Sequence, residues 1–349
     1  KGGRSITLRP EGTASAVRSY LENSIYSSGL PVKAYYISPI FRYEKPQSGR
    51  YREHHQFGVE CFGASGPEAD SEIIALGAEY LSRLGLKDVK LELNSIGCPD
   101  CRKVYHKALR DFFEDKKDKL CKTCTDRLER NPLRILDCKS SNCKNIACDA
   151  PEILDYLCAD CENHFKMVRG YLDEMEIPYM INPRIVRGLD YYTRTVFEFI
   201  STNIGSQGTV IGGGRYDGLV SELGGQPTPG LGFGSGIERM LLVMEAEGIE
   251  IPKPKGTFVF LASQGNNADI VIQNLVYRLR HLGLAAERDI TGRSLKAQMK
   301  YADRLEAEYS IVIGDSELES GLVRIKNMKT GEQKECRMDA KAIYDILLH

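Results

Sequence analysis

The stretch Tyr35–Gly63, YYISPIFRYEKPQSGRYREHHQFGVECFG, decides how the chain is read. It opens on an apolar run, Tyr35 to Phe41, and closes on another, Phe57 to Phe62. The polar loop between them carries Lys45, Pro46, Gly49, Arg50 and Arg52. Two β-rich runs joined by a Pro/Gly loop predict a long antiparallel hairpin. Alternate side chains of a strand share a face, so Gln56, Gly58 and Glu60 line one side of the return strand and Phe57, Val59 and Cys61 the other. On the outgoing strand Arg42 and Glu44 share a face. Charged and amide groups in mid-strand are costly to bury without partners. For any one of them an ordinary ion pair is explanation enough. Together they make a floor for a ligand both zwitterionic and phosphorylated, because a guanidinium fork binds two phosphate oxygens while a carboxylate and an amide suit an ammonium.

Outward from the hairpin, Leu8–Thr13 (LRPEGT) turns through Pro10-Glu11-Gly12, with Thr13 placed to cap a helix over Ala14–Tyr26. Pro67–Leu84 has apolar residues at Ile73, Ile74, Leu76, Leu81 and Leu84, a helical spacing, and Val89–Asn94 alternates as a strand. A β pattern returns at Ile185–Ile200. GGGRYDG at Gly212–Gly218 is a Gly-rich loop beside a helix start; Pro229–Ser235 alternates apolar residues with glycine, and Gly236–Glu247 is a helix. Pro252-Lys253-Pro254-Lys255-Gly256 is a linker. After it, strands (TFVFLA, AAERD, YSIVIGD) alternate with helices over Asp269–Leu282 and Ser294–Glu308. A hairpin around Met328–Gly331 and a helix over Ala340–Leu348 follow. That alternation predicts an α/β unit with a largely parallel sheet.

A chain of 349 residues exceeds the usual single-core limit, so two or three domains are expected. With 42% hydrophobic and 27% charged residues the composition is that of an ordinary globular protein. No apolar run approaches a membrane span, and the start has no signal-peptide pattern, so a cytoplasmic protein is expected. A net charge of −1 excludes a uniformly basic nucleic-acid binder and leaves any RNA contact to local patches. Of the eleven cysteines, all but Cys61 and Cys336 lie between Cys98 and Cys161. The region around them is basic up to Cys148 and acidic from Asp149 to Glu176. A disulfide-rich secreted module would be small and self-contained; a cluster inside a longer chain favours thiols or metal ligands. Cys98-x2-Cys101 and Cys121-x2-Cys124 have a zinc-ribbon spacing. Cys138, Cys143, Cys148 and the pair Cys158-x2-Cys161 could complete a second site. Reduced, partly buried thiols are the alternative.

FRYEKPQSGRYREHHQF resembles the second signature motif of the class II aminoacyl-tRNA synthetases, and in detail that of the histidyl-tRNA synthetase family. LRPEGT at Leu8–Thr13, RGLDYYTRTVFEF at Arg187–Phe199 and GLGFGSGIERM at Gly230–Met240 agree, so the resemblance spans nearly the whole chain. It implies an α+β catalytic domain with an antiparallel sheet over residues 1–97 and 184–252, and a helical Cys-rich insertion over 98–183. A C-terminal α/β anticodon-binding domain is implied over 256–349. The family has a further segment with its first motif, at a dimer interface, which would precede Lys1; a homodimer is implied with it. The implied activity is an ATP-dependent histidine–tRNA ligase, with L-histidine, ATP with Mg2+, and tRNA(His) as ligands. Zinc is not a requirement of the family.

The same resemblance assigns roles. Arg42 and Arg187 act on the α-phosphate, where charge builds during activation, with Asp190 orienting Arg187. ATP is held by Arg42, Glu44, Arg50 and Arg239, the last at its far end. Glu11, Gly12 and Thr13, with Gln56, take the ammonium side of histidine; Arg42 clamps the histidine carboxylate against the α-phosphate, and Arg187 also reaches the amino acid. Glu60 and Tyr192 meet the ring nitrogens, and Tyr191 and Tyr216, the latter on an exposed loop, complete the pocket. Lys296, Lys300 and Arg304 recur at i, i+4, i+8 as one basic row opposite Leu295, Met299, Ala302 and Leu305. Such a row is usually a solvated face; in an anticodon-binding domain it is a candidate tRNA surface. Gln47 and Arg52 of the hairpin loop, and the basic front of the insertion, are further candidates for phosphate contacts. The rival is a histidine-binding regulatory subunit without aminoacylation activity. Such a relative would be expected to lose Arg187 or the C-terminal domain, and this chain has both.

Overall fold

In the computed structural model, which describes every residue except Lys1, Arg4, Glu44, 205–207, 253–255 and His349, the hairpin runs longer than its apolar runs. Strand β1 (Val32–Phe41) pairs antiparallel with β2 (Glu53–Phe62), from Val32 opposite Phe62 to Phe41 opposite Glu53. Helix α1 (Thr13–Glu22) ahead of it stops at Asn23, and a separate 3-10 turn covers Ile25–Ser28, so the helix expected to reach Tyr26 is broken. Ser24, at φ 50°, makes the break. Nor does Thr13 cap α1. Gly12 is the N-cap, and the Glu11 carboxylate accepts the Thr13 and Ala14 backbone N–H groups at 2.8 Å each, satisfying donors that a helix start leaves free.

The hairpin is the edge of a seven-stranded sheet in the order β1-β2-β7-β6-β5-β3-β4. Its further strands are β3 (Val89–Ser95), β4 (Tyr179–Ile181), β5 (Thr193–Ser201), β6 (Thr209–Arg215) and β7 (Gly230–Gly236). Every pair is antiparallel except β3 with β4. Helix α2 (Pro67–Arg83) covers one face, burying Ile73, Ile74 and Leu81 against Val59, Cys61, Phe197, Phe199 and Phe233. The insertion follows β3 as α3 (Pro99–Glu114), α4 (Lys122–Arg130), α5 (Leu133–Leu136), α6 (Ser141–Ala147) and α7 (Ala159–Glu174). Helix α7 joins the main core through Phe165, Val168 and Leu172, while α3 to α6 enclose a small core of their own around Tyr105, Leu109, Phe113 and Leu128. A short α8 (Leu219–Glu222) and α9 (Ile237–Ala246), which buries Met240 and Val243, complete this unit.

One buried polar network ties these layers together. Arg215, at the end of β6, has no exposed surface and donates from Nε to Asp70 of α2 at 3.2 Å, with its NH2 group on the same carboxylate. Ala64 O and Gly66 O take its other donors at 2.8 and 3.1 Å. His164 of α7 reaches the same carboxylate from Nε2 at 3.2 Å. A buried charge is tolerated only when so completely partnered. The arginine inside the Gly-rich GGGRYDG run is therefore structural.

Residues Ile251–His349 form a second compact unit. Its elements are β8 (Val259–Ser263), α10 (Asn266–His281), β9 (Ala286–Arg288), α11 (Leu295–Arg304), β10 (Tyr309–Ile313), α12 (Asp315–Ser320), β11 (Leu322–Asn327), β12 (Gln333–Arg337) and α13 (Ala340–Leu348). The strand order is β12-β11-β10-β8-β9. The sheet expected to be largely parallel is mixed: β8 pairs in parallel with β9 and β10, but β11 and β12 add an antiparallel edge. The connection from β10 to β11, residues 314–321, is shorter than the roughly dozen residues a parallel crossover needs, and β12 then reverses from β11 at a short turn.

Candidate active site

The sheet face opposite α2 carries a cleft of about 360 Å³. The glycines of β6 and β7 explain its floor. A Cβ on Gly212 would overlap the Arg187 guanidinium, one on Gly234 the Gln56 amide, and one on Gly232 the Glu60 carboxyl. Three long polar side chains thus lie flat against bare backbone, which only glycine permits. Phe57, Val59 and Cys61 point the other way into the core, as the strand alternation requires.

Arginines surround this floor. Arg42, Arg50, Arg187 and Arg239 all line the cleft. Arg42 is fixed by Nε donating to Pro10 O at 2.9 Å. Arg239 is clamped more firmly, donating to Gly49 O at 2.8 Å and to Thr209 O at 2.6 Å. Burial, then the nearby Arg42 and Arg50 charges, lower its pKa. Like charges gathered at such a cost mark an anion site. Arg187 spans the middle. Burial works against its charge, but Tyr192, whose ring centroid lies 5.6 Å away, and Glu198 hold its pKa up. Its ion pair is with Glu198 of β5, which also accepts Thr209 Oγ1 at 2.9 Å. The expected partner, Asp190, lies elsewhere: its carboxylate accepts Asn131 Nδ2 at 2.9 Å and faces Arg134 at 3.4 Å. Three residues after Arg187 on an irregular loop, Asp190 projects outward, whereas Glu198 comes from the neighbouring strand.

At the other end Glu11, Thr13, Gln56, Tyr191 and Tyr192 line the cleft. Tyr191 donates to Glu11 at 3.3 Å. Gly12 is buried, and its missing side chain makes room for the Tyr36 ring. Gln56 Oε1 and Arg187 Nε are buried without a hydrogen-bond partner among the described residues, which suits a site built for a polar ligand. Glu60 and Tyr216 lie deeper. Tyr216 is not on an exposed loop: only 1% of its surface is accessible, its N–H extends the ladder to Gly230 O at 2.7 Å, and its ring packs between Phe62 and Tyr191. Its hydroxyl donates to Glu60, which is fully buried. Burial pushes the Glu60 carboxyl up to about 8, against the hydroxyls of Tyr216, Thr13 and Tyr36.

The remaining expected residues are spread more widely. Glu44 lies outside the described residues. Gln47 and Arg52 sit on the exposed hairpin loop, Arg52 with its guanidinium 5.0 Å from the Tyr43 ring centroid. Lys296, Lys300 and Arg304 form an exposed row on α11, with Ala302 buried and Leu295, Met299 and Leu305 partly buried opposite. The four cysteines assigned to one metal site separate. Cys98 and Cys101 gather with Cys158 and Cys161, and Cys121 and Cys124 with Cys138 and Cys143. Cys148 is exposed and outside both groups.

Residues 1–240 match the family model described as histidyl-tRNA synthetase, and residues 258–347 that described as an anticodon binding domain. The chain belongs to the histidyl-tRNA synthetase family. A histidine–tRNA ligase of Acetivibrio thermocellus is 57% identical over 97% of this chain and 81% of its own length. The apo histidyl-tRNA synthetase of S. aureus superposes with a TM-score of 0.82 at 42% identity, over 99% of this chain and 84% of that one. A Bacillus halodurans structure titled as an ATP phosphoribosyltransferase regulatory subunit/histidyl-tRNA synthetase has the same fold at 22% identity, with a TM-score of 0.56 over 88% of this chain and 79% of that one. The motifs do not point to Glu198, His54, Glu238 or the pair Asp137 and Lys139, all at or beside the cleft. Glu198 had a signal, a lone carboxylate inside the apolar run VFEFI. Asp137 and Lys139 had none, since they arrive from the insertion.

Proposed function

We infer that the chain is a histidine–tRNA ligase that joins L-histidine to ATP and transfers it to tRNA(His). The observation that carries this reading is one cleft with arginines at one end and a carboxylate, amide and tyrosine pocket at the other, bridged by Arg187. In the first step a histidine carboxylate oxygen bonds to the α-phosphorus as the bond to the bridging oxygen breaks and pyrophosphate leaves. Arg187 and Arg42 meet the charge that develops on the α-phosphate oxygens. Arg239 and Arg50 hold the departing phosphates, and the carbonyl clamps on Arg239 keep it from collapsing when the site is empty of substrate. Glu11 and Gln56 take the ammonium group, while Glu60 and Tyr192 address the ring, with Tyr216 holding the Glu60 carboxyl in place. A site that hydrogen-bonds a polar ring rejects apolar isosteres, whose binding would leave buried groups unpaired. In the second step a terminal ribose hydroxyl of the tRNA attacks the histidyl carbonyl, and AMP departs with its phosphate oxygen.

An oxygen-liganded Mg2+ fits beside ATP. Glu238 lines the cleft next to Arg239, its oxygens accepting His55 N at 2.9 Å and Nδ1 at 2.8 Å, and its carboxylate would be an oxygen ligand for that ion. Mg2+ would add positive charge at the pyrophosphate. The thiols of the insertion suit a structural Zn2+. The domain limits 1–97 with 184–252, 98–183 and 256–349 belong to this reading, as do a cytoplasmic site of action and a homodimer; no helix among the described residues is long and apolar enough to cross a membrane. Histidine-dependent ATP–pyrophosphate exchange followed by tRNA charging tests it. Exchange with histidine but not with other amino acids is expected. Histidine binding without exchange would favour the regulatory-subunit alternative.

A further inference from the structure

We propose that the insertion holds two structural Zn2+ ions, one on Cys98, Cys101, Cys158 and Cys161 at its base, the other on Cys121, Cys124, Cys138 and Cys143 beside the cleft. Within each group all four sulfurs lie within 4.8 Å of one another. Tetrahedral Zn–S bonds of about 2.3 Å put neighbouring sulfurs about 3.8 Å apart. Cys98 and Cys101 stand at 3.6 Å, and Cys121 and Cys138 at 3.9 Å. None of the eight is in a disulfide. The backbone is arranged for thiolates as well. Cys98, Cys121 and Cys158 are the N-caps of α3, α4 and α7, so positive helix ends meet at each cluster. Cys158 N donates to Cys101 Sγ at 3.1 Å and Cys121 N to Cys143 Sγ at 3.2 Å. Four thiolates leave no open position, so these ions cross-link and do not catalyse.

Each ion has a distinct structural consequence. The base cluster clips the start of α3, where the insertion leaves the sheet, to the start of α7, the helix that returns to the main core. The second cluster fixes the strip that touches the reaction centre. Cys138 is flanked by Asp137 and Lys139, both on the cleft wall. From the same strip Arg134 donates to Gly188 O, and Asn131 and Arg134 hold Asp190. The loop carrying Arg187 is thus braced by a module with only a small core of its own. Of the buried residues of that core, Cys124, Cys138 and Cys143 are themselves ligands. Small cores commonly rely on such a staple.

Elemental analysis of the full chain, purified reduced and without chelators, decides the first part. Two zinc per chain are expected, one in Cys124→Ser, one in Cys161→Ser, and two in Cys148→Ser. Should a variant fail to fold, growth of the unmutated chain on Co2+ gives a second reading: two equivalents with the visible bands of tetrahedral tetrathiolate cobalt. A metal-free chain, iron with or without sulfide, or loss of both ions in Cys148→Ser would overturn the assignment. The positioning role rests on the ligase reading and is tested separately. In Cys124→Ser, kcat for pyrophosphate exchange should fall on the order of tenfold to a hundredfold, with histidine binding retained, as for groups misplaced by about an ångström. Zinc loss with normal exchange would refute the brace and leave the metal sites standing. An unmutated chain with two zinc and no exchange would refute the ligase reading alone.

Discussion

The sheet floor and the insertion place polar groups by opposite means. On the floor, Gly212, Gly232 and Gly234 leave bare backbone; strand register lays the side chains of Glu60 and Gln56 onto it, and the loop before β5 lays the Arg187 guanidinium over Gly212. In the insertion, short helices with a modest core set their geometry through thiols and through side chains reaching to backbone carbonyls, as Arg127 does to Arg134 O at 2.8 Å. A register is shared by every residue of a strand, so the floor is rigid at no local cost. A clip holds only what it touches. The first arrangement should fail as a whole or not at all, and the second piecewise.

The buried Asp70–Arg215–His164 network joins the two regions, and breaking it has the largest expected effect. Asp70→Ala leaves the Arg215 guanidinium buried without its main partner, at a cost of about 3–5 kcal/mol. Thermal unfolding of the catalytic unit should shift down by many degrees. Burial works against the Asp70 charge, but the hydrogen bonds and charges of His164 and Arg215 hold its pKa below the usual value. Its stabilising contribution is therefore full above the unfolded value near 4 and is lost as pH falls through the depressed folded value. A variant as stable as the parent would show that α7 and the sheet are held by apolar packing alone.

Next in size is chemistry on the floor. Arg187→Ala should slow adenylate formation by on the order of 10²–10³ while leaving histidine binding nearly intact. Gly212→Ala sharpens the comparison, because its methyl group would displace the same guanidinium without removing it. Its adenylate rate should fall toward that of Arg187→Ala, with unfolding little changed. A near-normal single-turnover rate in Arg187→Ala would remove this arginine from the mechanism.

Legibility follows the same division. Alternation along Tyr35–Gly63 placed Gln56 and Glu60 on one face and Phe57, Val59 and Cys61 on the other, and glycine spacing marked β7, because both are local properties of a strand. Partner choice was not legible. Asp190 is near Arg187 in sequence, yet Glu198 meets it across a strand. The nearest cysteine pairs in sequence are not one site, since α7 returns Cys158 to Cys101 across 57 residues. Tyr216 reads as part of a polar Gly-rich loop until its ring is seen closed in by Phe62 and Tyr191. Each of these misses is a pairing between separate elements, which spacing along one of them does not specify.

A subtler effect should come from Glu60. With burial raising its carboxyl to about 8, the group is mostly protonated at neutral pH in the free protein. If the carboxylate receives an imidazole N–H, histidine affinity should rise by at most about tenfold per pH unit toward pH 8 and level above it. Glu60→Gln should weaken histidine far more than ATP and abolish that rise. Calorimetry with each ligand across pH reads both; equal losses for the two ligands would make Glu60 a brace for the floor.

The smallest effect per residue is expected from the second unit, where neither glycine floor nor clip is involved. Lys296, Lys300 and Arg304 share one exposed face of α11, while Gln298, on the opposite side, is buried and bonded to Ser263 N at 2.9 Å and Ser263 O at 3.0 Å. The helix is therefore fixed to β8 by its buried side, so neutralising the exposed row should leave the fold intact. Removing one cation that neutralises a phosphate should reduce the salt slope of tRNA binding by about 0.7–0.9. The triple variant Lys296→Gln, Lys300→Gln, Arg304→Gln should then bind tRNA several-fold more weakly at moderate salt and converge with the parent at high salt. Pyrophosphate exchange, which needs only the first unit, should not change. Normal binding with an unchanged slope would make the row a solvated face and move the tRNA surface elsewhere; a loss of exchange would mean that the two units are coupled in the first step.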